Sequence, residues 1–238
     1  SKAPDAEGDD AKRRQIIAEA HVLRAWYHFL LVNMYAKQYD ESTAGQLGGI
    51  PYVDNTDVRE QKTKRTVAEV YECILADCSE EVLADLVQSH VDDPCRFGLD
   101  FGYGVRAKVL FQMKRYDEAL QYATRALQVN NTIEDRSTVM TTSTWTLNET
   151  AQNNYYIIWS DNSNLGDFYG ITVTPEVAAL ISPDDYVNKY YYVSGTPAWQ
   201  TPYPTLPDGC LQCQVSDIKY NLFGIRSETM YYLAAECQ

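Results

Sequence analysis

Cys210-Leu211-Gln212-Cys213 has the spacing of zinc ligands and of redox pairs. A structural zinc needs four ligands, and the sequence has no second CxxC and no HxxxH to complete the set. Local thiols or a loop disulfide are the readings left for that pair. The three histidines are His21, His28 and His90. On one helix His21 and His28 would lie about 10 Å apart along the axis, too far to share a metal, so all three read as surface or packing residues. Asp161-Asn162-Ser163-Asn164-Leu165-Gly166 opens like a calcium loop. It fails at Leu165, which offers no side-chain oxygen, and at Thr172, where a bidentate glutamate belongs. Asp184-Asp185 reads as two solvated loop carboxylates rather than an acid/base pair. GxSxG, HExxH, GxxxxGK[ST] and a helix-opening GxGxxG are all missing from the sequence. We therefore expect no enzyme, no metal and no cofactor.

The side chains that could do chemistry are aromatic. Tyr190-Tyr191-Tyr192 is followed by Trp199 and Tyr203, with Trp159 upstream, in an acidic, proline-studded stretch. Aromatic faces stack on the C–H faces of sugar rings, and Gln200 and Asp208 could take hydroxyls. Trp199 offers the largest ring and sits between Pro197 and Pro202, which would stiffen its backbone. The expected binding set is Trp199, Tyr203, Tyr191, Trp159, Gln200 and Asp208. The same surface could hold a peptide, and the same rings could instead form the buried core of the loop region.

Elsewhere the sequence excludes more than it assigns. A net charge of −13 over 238 residues repels phosphate backbones and acidic lipid, so nucleic acid is a poor partner. No run approaches the ~20 apolar residues of a membrane span, and no signal peptide opens the chain. Residues 225–238 read as the opening of an amphipathic helix without its partner segment. We therefore expect native sequence beyond both ends.

The elements that must carry the loops are helical. Residues 10–38 form the first helix, with an apolar stripe at Ile16, Ala20, Leu23, Tyr27, Leu31 and Met34. Gly45 to Pro51 must be a turn or loop. Thr66-Val67-Ala68-Glu69 is a capping box opening a second helix, expected to run to about Gln88 with its acids outward. Val105, Ala107, Val109 and Leu110 mark a third helix; after Lys114-Arg115 a fourth carries Ala119, Ala123 and Ala126, small enough for close approach. That antiparallel pair resembles a tetratricopeptide unit. Beyond residue 131 six of the nine prolines lie between Pro175 and Pro207, and eleven of the nineteen tyrosines lie from Tyr155 onward. Short β-like runs such as residues 155–159 replace helical periodicity. The expected organisation is a helical scaffold over 1–130, a loop-rich insertion over 131–224 carrying the ligand face, and a further scaffold helix over 225–238.

These segments together resemble one family. Glu19-Ala20, Leu23-Arg24-Ala25, Tyr27 and Phe29, then Tyr35 and Gly49-Ile50-Pro51, resemble the opening signature of RagB/SusD-type nutrient-binding lipoproteins. Thr66 to Asp77, Val105 to Leu110, Tyr116 to Ala119 and Gly224 to Glu236 follow in the family's order. The resemblance implies a mostly α, SusD-like α/α fold of tetratricopeptide-like pairs with a loop-rich, partly β irregular insertion. It implies capture of oligosaccharide, or in some members peptide, on the cell surface. It also implies a lipid anchor in the outer membrane and transfer to a SusC-like TonB-dependent transporter, with Arg24 in a structural role, as a buried ion pair or a cap on a carbonyl. The rival readings are a tetratricopeptide adaptor for a protein partner and an enzyme with an unrecognised loop-borne site.

Overall fold

The computed structural model describes residues 3–57, 59–90, 93, 95–133, 152–157, 159–160, 172–185, 192–194, 211–213, 220–221 and 224–238. The chain divides into two compact units, residues 1–133 with 152–156 and 225–238, and residues 134–151 with 157–224. Among the described residues, no helix is long and apolar enough to cross a membrane.

In the first unit α1 (Asp10–Tyr35) starts where the Asp9 carboxylate accepts the Ala11 and Lys12 N–H groups, filling two of the donors a helix start leaves open. The helix carries no glycine or proline until it ends. Its core face is not the stripe expected from periodicity. Val22, Ala25, Trp26, Phe29 and Val32 are buried, whereas Ile16, Tyr27, Leu31 and Met34 are exposed and Leu23 is half-buried. Apolar residues recur at helical spacing on two faces of α1, so spacing alone does not choose between them. The choice falls to the face that mixes small and large side chains. Ala18 and Ala25 admit neighbours closely, while Trp26 and Phe29 fill the space beside Phe101 and Tyr71.

β1 (Gly48–Pro51) and β2 (Lys64–Thr66) form a small antiparallel ribbon. Thr66 ends it and caps α2 (Val67–Asp77): its hydroxyl takes the Glu69 N–H while Glu69 takes the Thr66 N–H, the expected capping box. α2 then stops eleven residues short of Gln88. Arg106 reaches over from the next pair and bonds the carbonyls of Leu75 and Cys78, while Ser79 caps a separate turn, α3 (Glu80–Leu83). α2 runs antiparallel to α1, with Asp77 against Arg24 at one end and Tyr71 against Phe29 at the other.

α4 (Leu99–Gln112) begins at Gly98, where a Cβ would sit 2.6 Å from the Val87 carbonyl oxygen. Gly102, one turn on, is less constrained, since a Cβ there would meet only side-chain ends, Leu83 Cδ2 at 2.5 Å and Leu86 Cδ1 at 2.9 Å, which can shift. After a three-residue turn, in which Lys114 takes φ 61°, α5 (Tyr116–Val129) runs back antiparallel. Its Ala119, Ala123 and Ala126 are fully buried, as their spacing predicts. Glu80 of α3 binds Arg125 and accepts the Tyr122 hydroxyl; led by the bond from Arg125, these contacts pull its carboxyl down to about 2. The last helix, α7 (Ser227–Glu236), packs on α5 and lies beside α4. The unit is thus a stack of helix pairs, the expected tetratricopeptide-like architecture.

The second unit is built of short strands. β4 (Trp159–Ser160) pairs antiparallel with β8 (Tyr220–Asn221). β7 (Leu211–Cys213) lies between β5 (Thr172–Val173) and β6 (Tyr192–Ser194), antiparallel to both. One helical turn, α6 (Pro175–Ala178), follows β5.

Candidate functional site

Of the expected binding set, Trp199, Tyr203, Tyr191, Gln200 and Asp208 lie outside the described residues. Trp159 has its backbone in β4, opposite Asn221, and its side chain is also outside them. Cys213 lies in β7, while Cys210 and the Asp161–Gly166 stretch are outside. The described residues show how the scaffold grips the segments from which this region departs.

The grip is polar and buried. β3 (Asn154–Tyr156) pairs with β9 (Ile225–Arg226), so the chain on its way out lies against the chain on its way back. Asn130 Nδ2 donates to the Gln152 carbonyl at 2.7 Å, and the Tyr155 hydroxyl donates to the Asn130 carbonyl at 2.6 Å. Ser227 donates its N–H to the Asn153 carbonyl and its hydroxyl to the Thr132 carbonyl, while Asn153 Nδ2 holds Glu228. A buried amide or hydroxyl left without a partner costs about 1–3 kcal/mol, so these bonds fix the stem in one arrangement. Sequence reading missed Asn130, Asn153 and Ser227, because their partners lie up to 95 residues away and no local pattern announces them.

A second polar cluster joins α1 to α2. Arg24 meets both oxygens of Asp77, Nε to Oδ2 at 2.5 Å and Nη2 to Oδ1 at 2.6 Å, the fork geometry that matches a carboxylate. The Tyr52 hydroxyl donates to Asp77 at 2.5 Å and His21 Nδ1 lies 2.8 Å from it. Burial works to raise the Asp77 carboxyl, but the bonds from Arg24, Tyr52 and His21 outweigh it and hold it below the usual range. Asp77 is 5% exposed, so the expectation that the acids of α2 point outward fails at this position. Next to it His28 stacks on Tyr52, accepts the Val53 N–H at Nε2 and bonds the Arg24 carbonyl through Nδ1. An acceptor at one nitrogen and a donor at the other is a neutral ring, and burial pushes its pKa down. All of these groups satisfy one another. The cluster is a structural bolt, in keeping with the role expected for Arg24, and His21 and His28 are packing residues as their spacing implies.

The third feature is a groove of about 440 Å³ between α1, α4 and α7. α1 contributes Trp26, Phe29 and Leu30, α4 contributes Lys108, Phe111 and Gln112, and α7 contributes Tyr232, Leu233 and Glu236. Sequence reading did not single it out, since each helix supplies only a few of its residues.

Comparison with known proteins bears on both units. Residues 3–94 match the family model SusD-like_3, described as starch-binding associating with outer membrane. Over 99% of this chain the fold matches a SusD-like carbohydrate binding protein from Bacteroides vulgatus, with a TM-score of 0.70 at 17% identity. The fold is SusD-like. Surface glycan-binding protein A from Bacteroides uniformis matches with a TM-score of 0.65 at 15% identity, and a laminarin binding SusD-like protein with 0.63 at 16%, each over 99% of this chain. This chain spans 53%, 57% and 62% of the lengths of these three proteins. No curated protein sequence matches it.

Proposed function

We propose that this SusD-like chain is a non-catalytic glycan-binding protein of the cell surface that captures oligosaccharide and passes it to a SusC-like TonB-dependent transporter in the outer membrane. The observation that carries the reading is the fold shared over 99% of the chain with proteins described as carbohydrate-, glycan- and laminarin-binding, loop-rich unit included. The match of residues 3–94 to a family described as associating with the outer membrane supports the location, with a lipid anchor as the means of attachment. The helical unit supplies a rigid frame; loops held at their stems on such a frame are where binding groups are most often placed. Within residues 155–210 the stacking group is Trp199, with Tyr203, Tyr191 and Trp159 beside it and Gln200 and Asp208 taking hydroxyls.

Titration of Trp199→Ala against a panel of oligosaccharides, laminarin fragments among them, tests this. The expected result is micromolar to millimolar binding by the unaltered chain, lost in the variant at unchanged melting temperature. A melting temperature lowered by several degrees would make Trp199 a core residue and remove it from the site. Reducing-end release by the unaltered chain would overturn the non-catalytic reading.

A further inference from the structure

The groove between α1, α4 and α7 holds a lysine in an unusual position. Lys108 stands on α4 among Trp26, Phe29, Phe111 and Leu233 and, among the described residues, makes no ion pair and no hydrogen bond. Burial pushes its ammonium below the ordinary range, with Glu236 pulling weakly the other way. An ammonium is a strongly hydrated point charge, and removing its water without supplying an anion is unfavourable. The other polar groups facing it are Asn33 from α1, already bonded to the Phe29 carbonyl, and Gln112 and Thr229. Among the described residues Glu236 is the one carboxylate in the lining, and it lies beyond ion-pair distance.

We infer that this groove binds an apolar peptide segment bearing one carboxylate, which pairs with Lys108 while its apolar side chains pack against Leu30, Phe111 and Tyr232. Its volume of about 440 Å³ falls within the ~300–1,000 Å³ of ligand clefts. Charge complementarity selects the carboxylate, because the occupant supplies the anion that the fold withholds. Lys108 is the one cation among the described lining residues, and an uncharged sugar offers it no counter-charge. Among the described residues the Gln112 amide has no hydrogen-bond partner, so its donor and acceptor suit a peptide backbone, and Tyr232, 72% exposed, stands at the groove to cover what enters. The groove lies in the helical unit, so this inference does not rest on the glycan reading of the loops.

Fluorescence polarisation with two labelled probe peptides tests it: Leu-Leu-Glu-Leu-amide and its counterpart with Gln in place of Glu. The unaltered chain is expected to bind the Glu probe about tenfold or more tightly than the Gln probe. Lys108→Met should erase that difference at an equal or higher melting temperature, and Lys108→Arg should retain it. Tyr232→Ala should weaken both probes. Trp199→Ala should leave both unchanged, which separates a failure here from a failure of the glycan site. Equal binding of the two probes, no binding at millimolar peptide, or a difference that survives Lys108→Met would overturn the inference. So would a melting temperature lowered several degrees by Lys108→Met together with a lost difference in Lys108→Arg, since Lys108 would then be structural.

Discussion

The pair α1–α2 is joined through residues 36–66 and locked where the helices meet by charge, whereas the pair α4–α5 turns over within residues 113–115 and is filled by methyl groups. In the first pair the chain wanders through a two-stranded ribbon before returning, so little in the connection aligns the helices. Arg24, Asp77, Tyr52 and the two histidines provide the alignment instead, through bonds whose geometry allows one register. In the second pair the turn itself sets the register, and Ala119, Ala123 and Ala126 need only allow α5 to come close. A long connection calls for directional contacts; a tight one lets non-directional packing suffice.

That contrast can be broken most directly at Arg24. Arg24→Met leaves the Asp77 carboxylate buried with hydroxyl and imidazole partners alone. Loss of one member of a buried pair costs about 3–5 kcal/mol; with Arg24 itself 28% exposed, the lower end is expected, about 3 kcal/mol. Chemical denaturation of the single variant and of Arg24→Met with Asp77→Leu measures it, the double variant recovering part of the loss. A cost below 1 kcal/mol for the single variant would mean that the ribbon, not the charge, aligns the first pair.

In the second pair the corresponding probe is bulk. Ala123→Leu inserts three carbons where no room exists and is expected to cost about 1–3 kcal/mol, read by the same denaturation. An exposed position on the same helix such as Gln121→Leu should cost less than 0.5 kcal/mol. Equal costs at the two positions would remove close packing as the device that holds α4 and α5.

The smallest expected effect is a difference in acid response. His28 has its folded pKa below the unfolded value of about 6.5, so the unfolded chain takes up the proton first as pH falls. The stability due to neutral His28 is complete above pH 6.5 and declines below it, toward the folded pKa. Asp77 adds a second loss below about pH 4, because its folded pKa is also depressed. Lowering the pH from 7 to 5 should therefore loosen the α1–α2 ribbon, seen as faster amide exchange at Val53, before the α4–α5 amides respond. His28→Gln should flatten that response. Parallel acceleration in both pairs would refute a local origin.

The parts of this fold legible from sequence are those decided within a few residues. The Thr66–Glu69 capping box, the alanine stripe of α5 and the turn at Lys114 are all legible there, because cap, spacing and turn chemistry are local. So is the class of architecture, since helical period before residue 131 and its loss afterwards are properties of the chain itself. The buried face of α1 was not legible, as Ile16, Leu31 and Met34 are as apolar as Val22 and Val32. Only α2 and α4 decide which set they cover. The end of α2 was misplaced for the same reason: Arg106, reaching from 28 residues downstream, claims the Cys78 carbonyl. For the proposed site, the sequence names candidate aromatic and polar side chains within residues 155–210 but not the bonds that hold the two ends of this segment against each other. Asn130, Asn153 and Ser227 become partners only once β3 and β9 are paired. The groove around Lys108 belongs wholly to tertiary structure. A lysine on a helix is ordinary until α1 and α7 close around it, and what makes it reactive toward an anion is the water and counter-charge that those two helices exclude.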